Sequence, residues 1–256
     1  MQAIWNFISS KPETRTVSEG LLVDGPIFEG GDHRRPLILV RSPRTRRMRL
    51  VVDPRDGAVK LTLPPRASKA DALKWAQTKR SWIEAQLARL PRPQPIVPGM
   101  TILLGGESLI VDWQEKRGRT PKIVGDQLLV GGPEELIAAR LLRWIKREAL
   151  TLMTAETLEY AQKRAIKIGK VGVGDPVSRW GSCAVSGDIR YSWRLMLAPD
   201  YVRRATIAHE VAHRIHMNHG PEFHALVADL FESDPTPARR WLRANGAALH
   251  WFGRSG

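Results

Sequence analysis

The stretch TIAHEVAHRIHMNHG, from Thr206 to Gly220, decides how the rest of the chain is read. It holds His209 and His213 four residues apart with Glu210 beside the first, the H-E-x-x-H pattern. On a helix, residues at that spacing lie one turn apart on the same face, so both imidazoles can reach a single ion. Glu210 projects to the side of the pair, placed to take a proton from water activated by that ion. The flanking residues predict a helix here: Val202, Thr206, His209, His213 and His216 share one face, while Ile207, Val211 and Ile215 can anchor the other. Four of the seven histidines fall between 209 and 219, a concentration that a chance match of the pattern does not explain.

Two ligands do not complete a hydrolytic zinc centre, which takes three protein ligands and keeps one position open for water. His219 leads the candidates for the third. Asn218 and Gly220 flank it, and both tolerate the left-handed backbone that turns a chain back at a helix end. His216 competes, but its Cα would lie about 10.5 Å along the axis from that of His209, too far for three stacked imidazoles to share a tetrahedral centre. Glu222 and His224, on the next predicted helix, are weaker alternatives. The expected chemistry is metal-assisted hydrolysis with Zn2+ as cofactor.

Outward from this stretch, the chain reads as strands first and helices later. Residues 1–36 show little periodicity and contain Gly25-Pro26, Gly30-Gly31 and Arg35-Pro36, so an irregular leader is expected. A β-rich region with one helix is expected over 37–131. In it, runs at 48–52 and 59–63 alternate around an Asp56-Gly57 turn, and a helix capped by Ser68 runs to Pro91. Four short strands at 102–104, 108–113, 122–124 and 128–130 follow a proline-rich connector. A catalytic domain is expected over 132–256. It contains a long helix from Pro133 to about 168, strands at 171–173, 177–182 and 189–195, the motif helix, and two closing helices. This order defines an α+β protein: an N-terminal antiparallel β-rich region followed by a helical domain with a β-hairpin edge.

The chain of 256 residues is 43% hydrophobic and 26% charged, which suits a folded globular protein. No apolar run reaches the ~20 residues of a membrane span, and the first residues lack the features of a secretory signal. Cys183 is the one cysteine, so an internal disulfide is impossible and the cytoplasm is the expected compartment. The net charge of +14 is uneven, because 12 Lys/Arg against 3 Asp/Glu between Arg41 and Arg80 put +9 in that stretch. Nucleic acid or another polyanion is a candidate partner there. The competing reading is that arginine stems cover apolar surface while their heads stay in water.

The chain resembles the YgjP-like branch of the zincin metallopeptidases, relatives of the SprT-like and WLM families. The resemblance rests on Ser178-Arg179-Trp180-Gly181-Ser182-Cys183, on Ser192-Trp193-Arg194-Leu195, and on His209-Glu210-x-x-His213 with Asn218-His219-Gly220-x-x-Phe223. It extends more loosely to the arginine run at 41–47 and the strand at 57–64, covering most of the chain from about residue 38. It implies a zincin-like catalytic domain, a peptide or protein substrate, zinc on His209, His213 and His219, and Glu210 as the base. Gly220 stands where serine is common, and His224 where an aromatic often follows Phe223; neither touches a ligand.

The segment around Arg179, Trp180 and Ser182 has two readings. It lines the substrate cleft, with Arg179 binding an anionic group, or Trp180 and Cys183 pack the hairpin against the metal helix. Arg179, Arg190, Tyr191 and Arg194 are candidates to stabilise an oxyanion. No basic helper beside Cys183 marks it as a nucleophile. Two other functions remain in play. One is a nucleotide phosphoanhydride hydrolase, although magnesium chemistry of that kind favours clustered carboxylates. The other is a nucleic-acid-associated module with a structural metal, for which a closed four-ligand site would speak.

Overall fold

The structure, a computed structural model, describes residues 27–30 and 33–254; residues 1–26, which make up most of the expected leader, lie outside it. The chain divides into two compact units, Met1–Pro91 and Arg92–Gly256.

In the first unit β1 (Ile27–Gly30), β2 (His33–Arg41), β3 (Arg49–Val52) and β4 (Val59–Leu63) form one sheet in the order β1-β2-β4-β3. Residues 27–30 and 33–36 are therefore strand, where an irregular leader was expected to reach 36. Val59, Leu61 and Leu63 alternate inward along β4. They meet Ala72 and Ala76 of α1 (Lys69–Thr78) and Ile83 and Leu87 of α2 (Arg80–Leu87), with Phe28 and Leu37 closing the core. Ser68 caps α1 by accepting from the Asp71 amide at 3.3 Å. The single helix expected up to Pro91 breaks at Lys79 (φ −101°, ψ 11°). At the β3–β4 turn Gly57 takes φ +72°, as the Asp56-Gly57 pair foretold. Asp53 is almost fully buried beside this turn. It accepts from Arg55 Nε and Nη2 at 2.8 and 2.7 Å and from Lys60 Nζ at 3.2 Å. Burial alone would raise its pKa, but these cations outweigh it and hold the carboxyl well below its ordinary value.

The second unit begins with the same strand plan. β5 (Thr101–Leu104), β6 (Glu107–Gln114), β7 (Lys122–Val124) and β8 (Gln127–Gly131) take the order β5-β6-β8-β7. In both sheets the outer pairs are antiparallel and the central pair, β2–β4 or β6–β8, is parallel. The α+β class holds, but the expectation of an antiparallel region is corrected. Each third strand goes to an edge, so the second and fourth meet with the same sense. The expected boundary near 131 also moves. Ile102, Leu104, Leu109, Val111, Leu128 and Val130 are buried in one core with Ile137, Leu141 and Ile145 of α3 (Ile137–Lys163), so these strands belong with the helices.

After α3 come β9 (Val171–Gly174), β10 (Gly181–Cys183) and β11 (Ile189–Ser192), a sheet in the order β10-β11-β9 with β10 at its edge. A short 3-10 turn, Trp193–Leu197, replaces the expected end of the last strand and delivers the chain to α4 (Asp200–Ala212). α5 (Pro221–Phe231) and α6 (Thr236–Leu249) close the unit. From Val202 onward α4 is buried apart from Arg204. A buried ion pair fixes it to α3, with Arg203 Nε and Nη2 each 2.9 Å from Glu156 carboxylate oxygens. Among the described residues, no helix is long and apolar enough to cross a membrane.

Candidate metal centre

His209 sits in the last turn of α4, and His213 follows the helix end with helical backbone angles (φ −62°, ψ −16°). The chain then turns, and His219 returns just before Pro221 opens α5. One ring nitrogen from each of the three lies within 4.8 Å of the others, and His209 Nε2 and His219 Nε2 are 3.3 Å apart. Zn–N bonds of about 2.0–2.1 Å place two nitrogens of a tetrahedral centre about 3.3–3.4 Å apart, the spacing that His209 and His219 have here, and the trio is compatible with such an ion. His213 Nδ1 lies 3.1 Å from the His216 carbonyl, which can only accept; the proton is therefore on Nδ1, and Nε2 keeps its lone pair.

Beneath the trio lies the fully buried ring of Phe223, with centroids 4.8, 4.6 and 4.7 Å from those of His209, His213 and His219. This apolar floor favours neutral imidazoles. Burial, reinforced by its two partners, drives the pKa of His209 well below the ordinary value, and burial lowers those of His213 and His219. Neutral rings with free lone pairs are what a metal cation requires.

Glu210 is buried against the backbone of β10. A Cβ built on Gly181 would fall 2.5 Å from Glu210 Oε1, 2.6 Å from Cγ and 2.7 Å from Cδ, so only glycine admits the carboxyl there. Burial pushes this carboxyl up to about 8, opposed by the charge of Arg179. A carboxyl poised near neutrality suits proton transfer.

The other candidate residues divide. Arg179 is exposed, with its charge felt at Glu210. Trp180 packs 5.3 Å from the His250 ring and so close to α6 that a Cβ on Gly246 would lie 2.7 Å from its Cζ2. Ser182 pairs with Arg190 and, by strand alternation, faces away from the side that Gly181 and Cys183 turn to Glu210. Two candidates are corrected. Tyr191 is fully buried, with its hydroxyl 3.0 Å from that of Thr157, and so lies in the core. Arg194 is buried as well; it donates to the Leu249 and Phe252 carbonyls and pairs with Asp175 at 2.7 Å, capping the end of α6. His216 contributes its carbonyl, while its ring points toward Glu222 at 3.8 Å. The His224 ring centroid is 6.4 Å from that of His219, outside the trio. Gly181 and Phe223 carry no metal-ligating group, and their roles depend on contacts that the motif spacing does not encode.

A three-histidine group on an H-E-x-x-H helix, with a buried carboxyl beside it, defines the metallopeptidase class. The family model described as YgjP-like, metallopeptidase domain, matches residues 46–245, and the chain belongs to that family. Membership carries a metal cofactor and peptide or protein substrates with it. No curated protein and no solved structure matches the chain.

Proposed function

We propose that the protein is a zinc-dependent peptidase in which His209, His213 and His219 hold the ion and Glu210 is the general base. The observation that carries this is the convergence of three imidazole nitrogens within 4.8 Å beside a buried carboxyl. When bound there, zinc acidifies water and polarises a carbonyl. Glu210 takes the proton of the attacking water and passes it to the departing amine nitrogen. Phe223 keeps the imidazoles neutral and in place, and the β10 backbone at Gly181 fixes the Glu210 carboxyl. Exposed Arg179 is the residue proposed to steady an anionic group of the substrate.

The phosphoanhydride alternative wants clustered carboxylates. Among the described residues the only group of three or more metal-holding side chains is this imidazole trio. Its three ligands leave a fourth tetrahedral position for water, whereas a purely structural zinc would close it. A reducing compartment, the cytoplasm, is proposed from the lone Cys183.

The test is Glu210→Gln, purified and assayed with its metal content. Zinc is expected at the wild-type level, with peptide hydrolysis reduced about 10²–10⁴-fold. Wild-type turnover by that variant would remove the base from the mechanism.

A further inference from the structure

The first unit carries a concentration of charge that the metal site does not use. β2 and β4 run parallel with Arg41 opposite Leu63, and β3 starts antiparallel with Arg49 opposite Thr62. The 42–48 loop, the start of β3 and the turn after β4 therefore leave the sheet from one end. Arg44, Arg46 and Arg47 are exposed in the loop, Arg49 at the start of β3 and Arg66 in the turn. Arg41 ties the two segments together, with Nη1 donating to the Pro65 and Ala67 carbonyls at 2.7 and 2.9 Å.

The acids of the β3–β4 turn sit elsewhere. Asp53 and Asp56 belong to the β3–β4 turn at the opposite end, and Asp53 is already matched by Arg55 and Lys60. Among the described residues, no ion pair joins Arg44, Arg46, Arg47, Arg49 or Arg66 to a carboxylate. Their exposure also argues against the simpler reading, in which arginine stems lie flat over apolar surface. The sheet is polarised, with one end a cluster of unpaired guanidinium groups.

We propose that this end binds the phosphodiester backbone of nucleic acid without sequence preference. Guanidinium forks match phosphate oxygens in pairs, and the cluster is built of arginine. A lipid surface is held better where apolar side chains flank the cations. In the strands and loops of this end, Val40 is the one large apolar side chain exposed. The proposal is independent of the peptidase reading, since no residue of the metal centre takes part.

The experiment is fluorescence anisotropy of the full chain with labelled single-stranded DNA and RNA of mixed sequence. If about four phosphates are neutralised, binding weakens about 50-fold between about 50 and 200 mM salt. The triple variant Arg44→Ala/Arg46→Ala/Arg47→Ala is expected to weaken binding about tenfold or more at the lower salt and to flatten the salt dependence. Lys116→Ala/Arg119→Ala/Lys122→Ala removes the same charge from exposed positions of the second unit and is expected to leave binding unchanged. If circular dichroism shows the arginine triple to be unfolded, the single variants Arg44→Gln and Arg47→Gln replace it, each expected to weaken binding about threefold. The proposal is overturned by lack of binding at low salt or by equal losses in the two triples, which would reduce the effect to total charge. Preferential capture by phosphatidylserine–phosphatidylcholine vesicles would overturn it too, in favour of a lipid surface. A preference between DNA and RNA in otherwise sequence-independent binding supports it and names the source of the phosphate.

Discussion

Gly181→Ala is the sharpest perturbation of the proposed centre, because it changes one methyl group and touches no metal ligand. The added Cβ would stand 2.5–2.7 Å from three atoms of Glu210. Ordinary carbon contacts are about 3.5–4.0 Å, so the carboxyl has to retreat by about 1 Å. A misplacement of about 1 Å in a reacting group costs on the order of 100-fold in rate, about 2.7 kcal/mol in the barrier. Overpacking should cost about 1–3 kcal/mol of stability as well. The assay has two arms. Peptidase kinetics and zinc content are measured on Gly181→Ala, with the loss expected in kcat and full zinc retained. Thermal unfolding of the metal-free proteins then completes a double-mutant cycle with Glu210→Ala. With the carboxyl gone the new methyl has room, so its destabilisation should largely disappear. An equal drop in Tm in both backgrounds would show that Gly181 and Glu210 do not compete for the same space, and the positional argument would be wrong. Loss of coupling with activity still impaired would separate that error from a failure of the peptidase reading.

His219→Ala should lower zinc stoichiometry and activity together, whereas His216→Ala should keep most of both because its ring lies outside the trio; metal analysis on the two variants checks this. Glu156→Ala leaves buried Arg203 with only the half-exposed Asp200 as a carboxylate partner, so denaturant unfolding should show a loss of up to about 3 kcal/mol. Asp53→Asn tests linkage in the first unit. Because the folded pKa of Asp53 is depressed, its stabilisation is fully present above the unfolded value of about 3.9 and fades as pH falls toward the folded one. The stability gap between wild type and Asp53→Asn should therefore be constant from about pH 7 to 5 and shrink below about pH 4. A gap that widened with acid would contradict the assignment.

The histidine trio was legible because its information is local. Spacing on a helix and a turn after it bring His209, His213 and His219 together with little help from the rest of the chain. What the sequence hid is long-range. Tyr191 and Arg194 read as oxyanion candidates, but only the packing of β11 on α3 and of the following turn on α6 reveals that both point inward. Gly181 was visible as a residue of a family motif, but its purpose depends on which strand meets Glu210. The parallel central pairs escaped notice for a different reason. Inward–outward alternation is the same in parallel and antiparallel strands, so periodicity carries no information about sense. The domain boundary moved because the apolar faces of β5–β8 match those of α3, a complementarity that linear patterning cannot assign.

The shared strand plan has a consequence for how each sheet assembles. β1 with β2 and β3 with β4 are hairpins between chain neighbours, as are β5 with β6 and β7 with β8. Each can zip from its own turn at small entropic expense. The seam between hairpins, where Leu39 meets Leu61 or Val111 meets Leu128, joins distant residues and has no turn of its own to nucleate it. The slow event in forming either sheet is thus the docking of two finished halves, and the chain carries out that same assembly twice before the helix bearing the histidines is reached.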